Sequence, residues 1–116
     1  MRIEITLKGE PVSKKNSYKI GKYGGLYKPE KITEWENDCY TQIREQNVPM
    51  LAAKYKIHYM AFLKRDKDID NVIVSVNDVL QNAAVIDNDK NIIKIEAEKI
   101  VSKMKEPKVM IIIETI

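Results

Sequence analysis

The nine residues Tyr55 to Leu63, YKIHYMAFL, constrain the fold more than any other stretch. Apolar side chains fall on both of its faces, which suits a strand in the middle of a sheet, where neighbours and a covering layer shield both sides. Two further segments read as strands. Residues 2–8, RIEITLK, alternate with period two, Ile3, Ile5 and Leu7 opposing Arg2, Glu4, Thr6 and Lys8, as a half-buried strand does. Lys108 to Ile116, KVMIIIETI, is rich in β-branched residues and closes the chain as a strand. Ile92 to Val101, IIKIEAEKIV, alternates early through Ile93, Ile95 and Ala97 and admits strand or helix, with strand favoured. Gly9-Glu10-Pro11 and Glu106-Pro107 read as turns.

Two segments carry helical spacing instead. From Lys31 to Asn47, the residues Ile32, Trp35, Cys39 and Ile43 recur at steps of three or four, and Val48-Pro49 stops the helix. Cys39 lies on that apolar stripe and reads as a buried, inert thiol. The second helix follows Asp70, read as its N-cap, with Val72, Val76, Val79, Leu80 and Ala83 forming the buried stripe. Asp70, Val74 and Asp78 share the opposite face. Together these elements predict an α+β fold, a small mixed β-sheet packed with two main helices, in one domain spanning residues 1–116. His58, mid-strand, reads as a packed or edge-facing histidine.

One cysteine and one histidine exclude an internal disulfide and any zinc site of the usual Cys/His type. Nothing at the N-terminus reads as a signal peptide, and no apolar run approaches the ~20 residues that span a membrane. The expectation by elimination is a cytoplasmic protein with no membrane partner.

Charge is unevenly spread. Residues 66–90 hold six aspartates (Asp66, Asp68, Asp70, Asp78, Asp87 and Asp89) against two cations, Lys67 and Lys90, while the remainder carries 18 Lys/Arg against 11 Asp/Glu. Crowded carboxylates repel unless protonated or neutralised by a cation, and their hard oxygens suit Mg²⁺ or Mn²⁺. A basic surround suits a polyanion. The polar segment from Val12 to Pro29 interleaves Lys14, Lys15, Lys19, Lys22 and Lys28 with Tyr18, Tyr23 and Tyr27, about a Gly24-Gly25 turn. Cations that meet phosphates beside rings that stack on bases fit nucleic acid; a solvated loop whose tyrosines cover the core edge fits equally well.

Asp68-Ile69-Asp70-Asn71 sits where the central strand gives way to the helix. Residues two apart in an extended chain point the same way, so this spacing aims two carboxylates at one ion. Asp87 and Asp89 repeat it after a short turn and bring a third ligand from a separate element. A divalent ion so held activates a water and neutralises charge building on a phosphate. The competing reading is that these aspartates only cap helices and turns.

The chain resembles the RusA family of Holliday junction resolvases, found in bacteria and their prophages. Three blocks carry the resemblance: Gly9, Pro11, Ser13, Lys14 and Lys15; then Asp68, Asp70 and Asn71 with Asp78-Val79-Leu80; then Asn88-Asp89 with Ile92. The resemblance implies a homodimer in DNA recombination and repair, with Mg²⁺ or Mn²⁺ held by Asp68, Asp70 and Asp89, which nicks a four-way DNA junction symmetrically. Asn71 and Asp78 support the site, and Lys14, Lys15, Lys19, Lys22 and Lys67 are the expected DNA contacts. Two positions depart from the family pattern. Val74 stands where a pocket-facing lysine is usual, and Asn88 where the first acid of the closing pair is usual. Lys67 and Lys90 are the cations near enough in sequence to reach the pocket instead. The alternative expectation is a junction-binding protein whose cleavage is lost or weakened, and a third is a small scaffold or nucleic-acid binder.

Overall fold

A computed structural model describes residues 1–12 and 30–116, together with the backbone of residues 19–20 and 26–27. A four-stranded sheet carries the fold, built from β1 (Arg2–Lys8), β4 (Tyr55–Leu63), β5 (Ile92–Val101) and β6 (Lys108–Thr115) in the order β1-β6-β4-β5. β6 runs antiparallel to both β1 and β4, whereas β4 and β5 are parallel, so the sheet is mixed. Between residues 19 and 27 a two-residue antiparallel ladder joins β2 (Lys19–Ile20) to β3 (Leu26–Tyr27). Lys14, Lys15, Tyr18, Lys22, Tyr23, Gly24, Gly25 and Lys28 lie outside the described residues, as does the side chain of Lys19.

The alternation in β4 is strict: Tyr55, Ile57, Tyr59, Ala61 and Leu63 are buried on one face, and the residues between them are partly covered. Ile3, Ile5 and Leu7 from β1 and Val109, Ile111 and Ile113 from β6 join the same buried face. Helices α1 (Glu30–Gln46) and α2 (Ile69–Asn82) lie on it, supplying Trp35, Cys39 and Ile43, then Val72, Val76, Val79 and Leu80. The α+β expectation therefore holds, and β4 is central, with β6 on one side and β5 on the other. Cys39 is fully buried, and burial first, then the charges of Asp38 and Glu36, push its thiol up to about 12. His58 sits on the open face of β4, its Nε2 3.3 Å from Glu98 Oε1.

Three local devices differ from the sequence reading or sharpen it. α1 ends at Gln46, ahead of Val48-Pro49, because Asn47 turns into the left-handed region at φ 54; asparagine tolerates that conformation and commonly terminates helices there. α2 begins earlier than expected: Asp68, in extended backbone at φ −61 and ψ 130, is the N-cap, and Asp70 lies inside the first turn. At the chain's first turn Gly9 adopts φ 114, and its amide donates to the Pro107 carbonyl at 2.9 Å. A side chain there is strained, so the turn needs glycine.

β5 is the resolved ambiguity: it is a strand, and every residue from Ile93 to Val101 is exposed. Only β4 pairs with it, so its other edge is open among the described residues. Ile93, Ile95, Ile100 and Val101 remain 53%, 46%, 39% and 46% exposed.

Candidate metal and DNA site

The connection from β4 through α2 to β5 places the acidic residues. α2 runs back along β4, so Asp68 and Asp70 sit at the end where β4 finishes, and Asp87 and Asp89 at the end where β5 starts. Asp68, Asp70 and Asp89 are all exposed. Asp68 occupies the capping position yet its carboxylate makes no capping hydrogen bond. Asp70 Oδ1 accepts from the Asn71 amide at 3.0 Å. Two carboxylates in the first turn also meet the positive end of the α2 dipole, worth about 0.3–1 kcal/mol for each charge. Because Asp68 is extended and Asp70 helical, the two do not share one strand, and two-residue alternation does not align their carboxylates.

The second acidic pair divides its labour. Asp87 is structural: the Tyr55 hydroxyl donates to its Oδ1 at 2.5 Å, and Asn91 Nδ2 does so at 3.2 Å. Those bonds hold the Asp87 carboxyl below its usual range, while burial and then the Asp87 carboxylate push the Tyr55 phenol up. Asn88 caps a single 3₁₀ turn over Asp89–Asn91, its Oδ1 accepting from the Lys90 amide at 3.0 Å. Asparagine and aspartate cap equally well, so this departure from the family pattern has a structural job.

Asp89 is held apart from Asp68 and Asp70. Its amide donates to Gln81 Oε1 at 2.9 Å, and Gln81 lies eleven residues past Asp70, about 16 Å along the helix axis. The Tyr59 hydroxyl donates to Asn77 Oδ1 beneath that stretch of α2. Burial pushes the Tyr59 phenol up, and the Asp89 charge pushes it further. Among the described residues no three His, Cys, Asp or Glu side chains gather as a ready ligand set. The expected three-way convergence is thus not built within one chain.

The segment delivering Asp68 is gripped from both sides. Glu10 accepts from the amides of Lys64 and Arg65 at 3.0 and 3.4 Å and from Lys67 Nζ at 2.6 Å. Burial pushes Glu10 up, but the Lys64 amide, the Lys67 ammonium and the Arg65 amide together outweigh it and hold the carboxyl below its usual range. Lys67, expected to meet DNA or stand in for the missing lysine, is engaged by Glu10 and only 21% exposed. Lys90 sits at the far end, beside Asp89. Opposite Glu10, Lys99 Nζ donates to Asp66 Oδ1 at 2.6 Å and to the Lys67 carbonyl at 2.9 Å. Reading along the sequence missed Glu10 and Lys99, because their partners lie more than thirty residues away. A surface cavity of about 360 Å³ beside this segment is lined by Glu10, Pro11, Val12, Lys31, Arg65, Asp66 and Lys67. Lys31 and Arg65 there are exposed cations that the sequence reading did not single out. Val74, on the flank of α2, is 55% exposed, and Asp78 is half-buried. Among the described residues no helix is long and apolar enough to cross a membrane.

A family model described as "Endodeoxyribonuclease RusA" matches residues 8–114. The chain is also 37% identical over 108 residues to "Crossover junction endodeoxyribonuclease RusA" of Aquifex aeolicus (strain VF5), covering 90% of this chain and 85% of that protein. With its Asp68–Asp70 pair at the head of α2, its Asp89 at the head of β5 and this match along nearly its whole length, the chain belongs to the RusA family of endodeoxyribonucleases.

Proposed function

We propose that this protein is a crossover junction endodeoxyribonuclease that hydrolyses phosphodiester bonds at four-way DNA junctions, using Mg²⁺ or Mn²⁺. The observation that carries the reading is the exposed Asp68–Asp70 pair, in which Asp68 caps α2 by backbone alone and its carboxylate makes no capping hydrogen bond. Hard, exposed oxygens of this kind fit a small divalent ion. When bound, such an ion lowers the pKa of a water and neutralises charge on the phosphate. The chain's own residues hold the ion and place the phosphate: Asp68 and Asp70 as ligands, with Lys31 and Arg65 on the flanking cavity as phosphate contacts beside Lys14, Lys15, Lys19 and Lys22.

The third ligand, Asp89, is supplied by a second copy in this reading. A helix's length separates it from Asp70 in one chain, and symmetric nicking of two strands itself calls for two sites about a two-fold axis. The open, apolar edge of β5 is where that copy docks, because four large exposed side chains on one edge strand are a liability that pairing removes. A second reading, binding with weakened cleavage, rests on Val74 and Asn88, of which Asn88 also caps the turn before β5.

The test is a nicking assay on a synthetic four-way junction and on linear duplex of the same sequence. Cleavage of the junction in Mg²⁺ or Mn²⁺, none in EDTA, and none by Asp70→Asn is the expected pattern. Tight junction binding without cleavage in either ion favours the second reading; neither binding nor cleavage refutes both.

A further inference from the structure

We infer that Lys99 is a positioning residue for the Asp68–Asp70 pair: its ammonium, brought by β5, fixes the peptide that carries Asp68. The inference rests on the reading that these two carboxylates hold a metal ion. β5 places Lys99 beside Ala61 of β4, and its side chain then reaches the segment that joins β4 to α2. There it donates both to Asp66 Oδ1 and to the Lys67 carbonyl, the oxygen immediately preceding Asp68. From the other side Glu10 holds the Lys64 and Arg65 amides, and the Ser102 amide holds the Leu63 carbonyl at 2.8 Å.

The need for this grip follows from the cap. An aspartate at an N-cap usually fixes its own backbone by accepting from an amide two or three residues on. Asp68 does not: α2 holds only its carbonyl, which accepts from the Asn71 and Val72 amides at 3.1 and 3.2 Å, and on its N-terminal side the Lys67 carbonyl is held by Lys99. An ordinary exposed ion pair would contribute little. Lys99 differs because one of its two bonds goes to backbone, the Lys67 carbonyl. Outer groups that orient metal ligands are typically worth about 10–100-fold in affinity.

The test measures Mn²⁺ binding to the full chain without DNA, by electron paramagnetic resonance, alongside single-turnover cleavage of a four-way junction. Lys99→Met should weaken Mn²⁺ binding about 10–100-fold, with cleavage recovering at saturating Mn²⁺ and junction affinity in EDTA unchanged. Lys99→Arg keeps the donors and should restore Mn²⁺ affinity, which a merely space-filling role does not predict. Should Lys99→Met fold poorly, Lys99→Gln retains one donor and carries the same test with a smaller shift. Wild-type Mn²⁺ affinity in the soluble variant overturns the inference, whatever cleavage does. So does lost junction affinity in EDTA with Mn²⁺ binding intact, which would make Lys99 a phosphate contact. If the wild type binds no Mn²⁺, the metal reading of Asp68 and Asp70 falls, and the inference with it.

Discussion

Replacing Val74 with lysine should speed cleavage without disturbing the fold. Val74 is 55% exposed on the flank of α2, so less than half of its side chain is covered. Fully burying a valine is worth about 1.5–3 kcal/mol, so the covered part is worth roughly 1 kcal/mol, much of which a lysine stem retains. Lysine regains a few tenths of a kcal/mol in helix propensity. It also stands four residues from both Asp70 and Asp78, spacing worth about 0.2–0.5 kcal/mol per ion pair. These effects nearly cancel, and the melting temperature should move by less than about 5 °C. The rate is a different matter. A donor aimed at developing charge is worth about 10²–10³ in rate, because it acts in the transition state more than in the bound substrate. Single-turnover cleavage of a four-way junction, with melting followed in parallel, reads both quantities. Equal rates at equal stability would refute the claim that this flank of α2 lacks a useful cation. A large drop in melting temperature would show that Val74 packs against something, and the exposed-flank argument would fail.

Other perturbations test separate parts of the account. Ala84, just past the α2 C-cap, is exposed and adopts φ 58, so Ala84→Gly should stabilise by about 0.5–1 kcal/mol in urea unfolding; destabilisation would show that the φ is not strained. Glu10 has a folded pKa below its unfolded one, so its contribution is present above the unfolded carboxylate value and is lost as pH falls through the folded one. Glu10→Gln should therefore lower the melting temperature at neutral pH, with the gap to wild type closing in acid; a gap independent of pH would mean the charge is not what matters. Ile95→Glu on the β5 edge should shift sedimentation toward the sequence mass of 13.4 kDa and reduce cleavage with little effect on monomer folding. An unchanged oligomer would move the interface elsewhere.

The parts of this molecule written in local pattern were legible in the sequence. β1 alternates apolar and polar residues because one sheet face is buried, the apolar runs of β4 and β6 mark the two inner strands, and α1 shows its stripe because one of its faces packs on the sheet. β5 was ambiguous because none of its residues beyond Ile92 is buried, so its alternation carries no burial to read. The start of α2 was misplaced by two residues: Asp68 and Asp70 are both plausible caps by composition, and the backbone bonds that begin the helix at the Asp68 carbonyl are not written in residue type. The ion pair between Lys67 and Glu10 was illegible for a related reason. The two residues are 57 apart in the chain, beyond the reach of any local rule. The expectation that Asp68, Asp70 and Asp89 converge came from their spacing and from family resemblance; the length of α2 between Asp70 and Asp89 became visible only with the helix in place.

The central claim is that each metal site draws Asp68 and Asp70 from one copy and Asp89 from another, and mixing two inactive variants tests it most directly. Asp70→Asn and Asp89→Asn should each abolish junction nicking alone. In a dimer holding one of each, a shared site leaves one centre with all three carboxylates intact, while the other loses two. Co-refolding equal amounts should restore nicking to about a quarter of the wild-type rate, since half the dimers are mixed and each has one live centre. If every site is built within one chain, the mixed dimer contains no intact centre. Persistent inactivity of the co-refolded mixture, with dimers verified, would contradict the account.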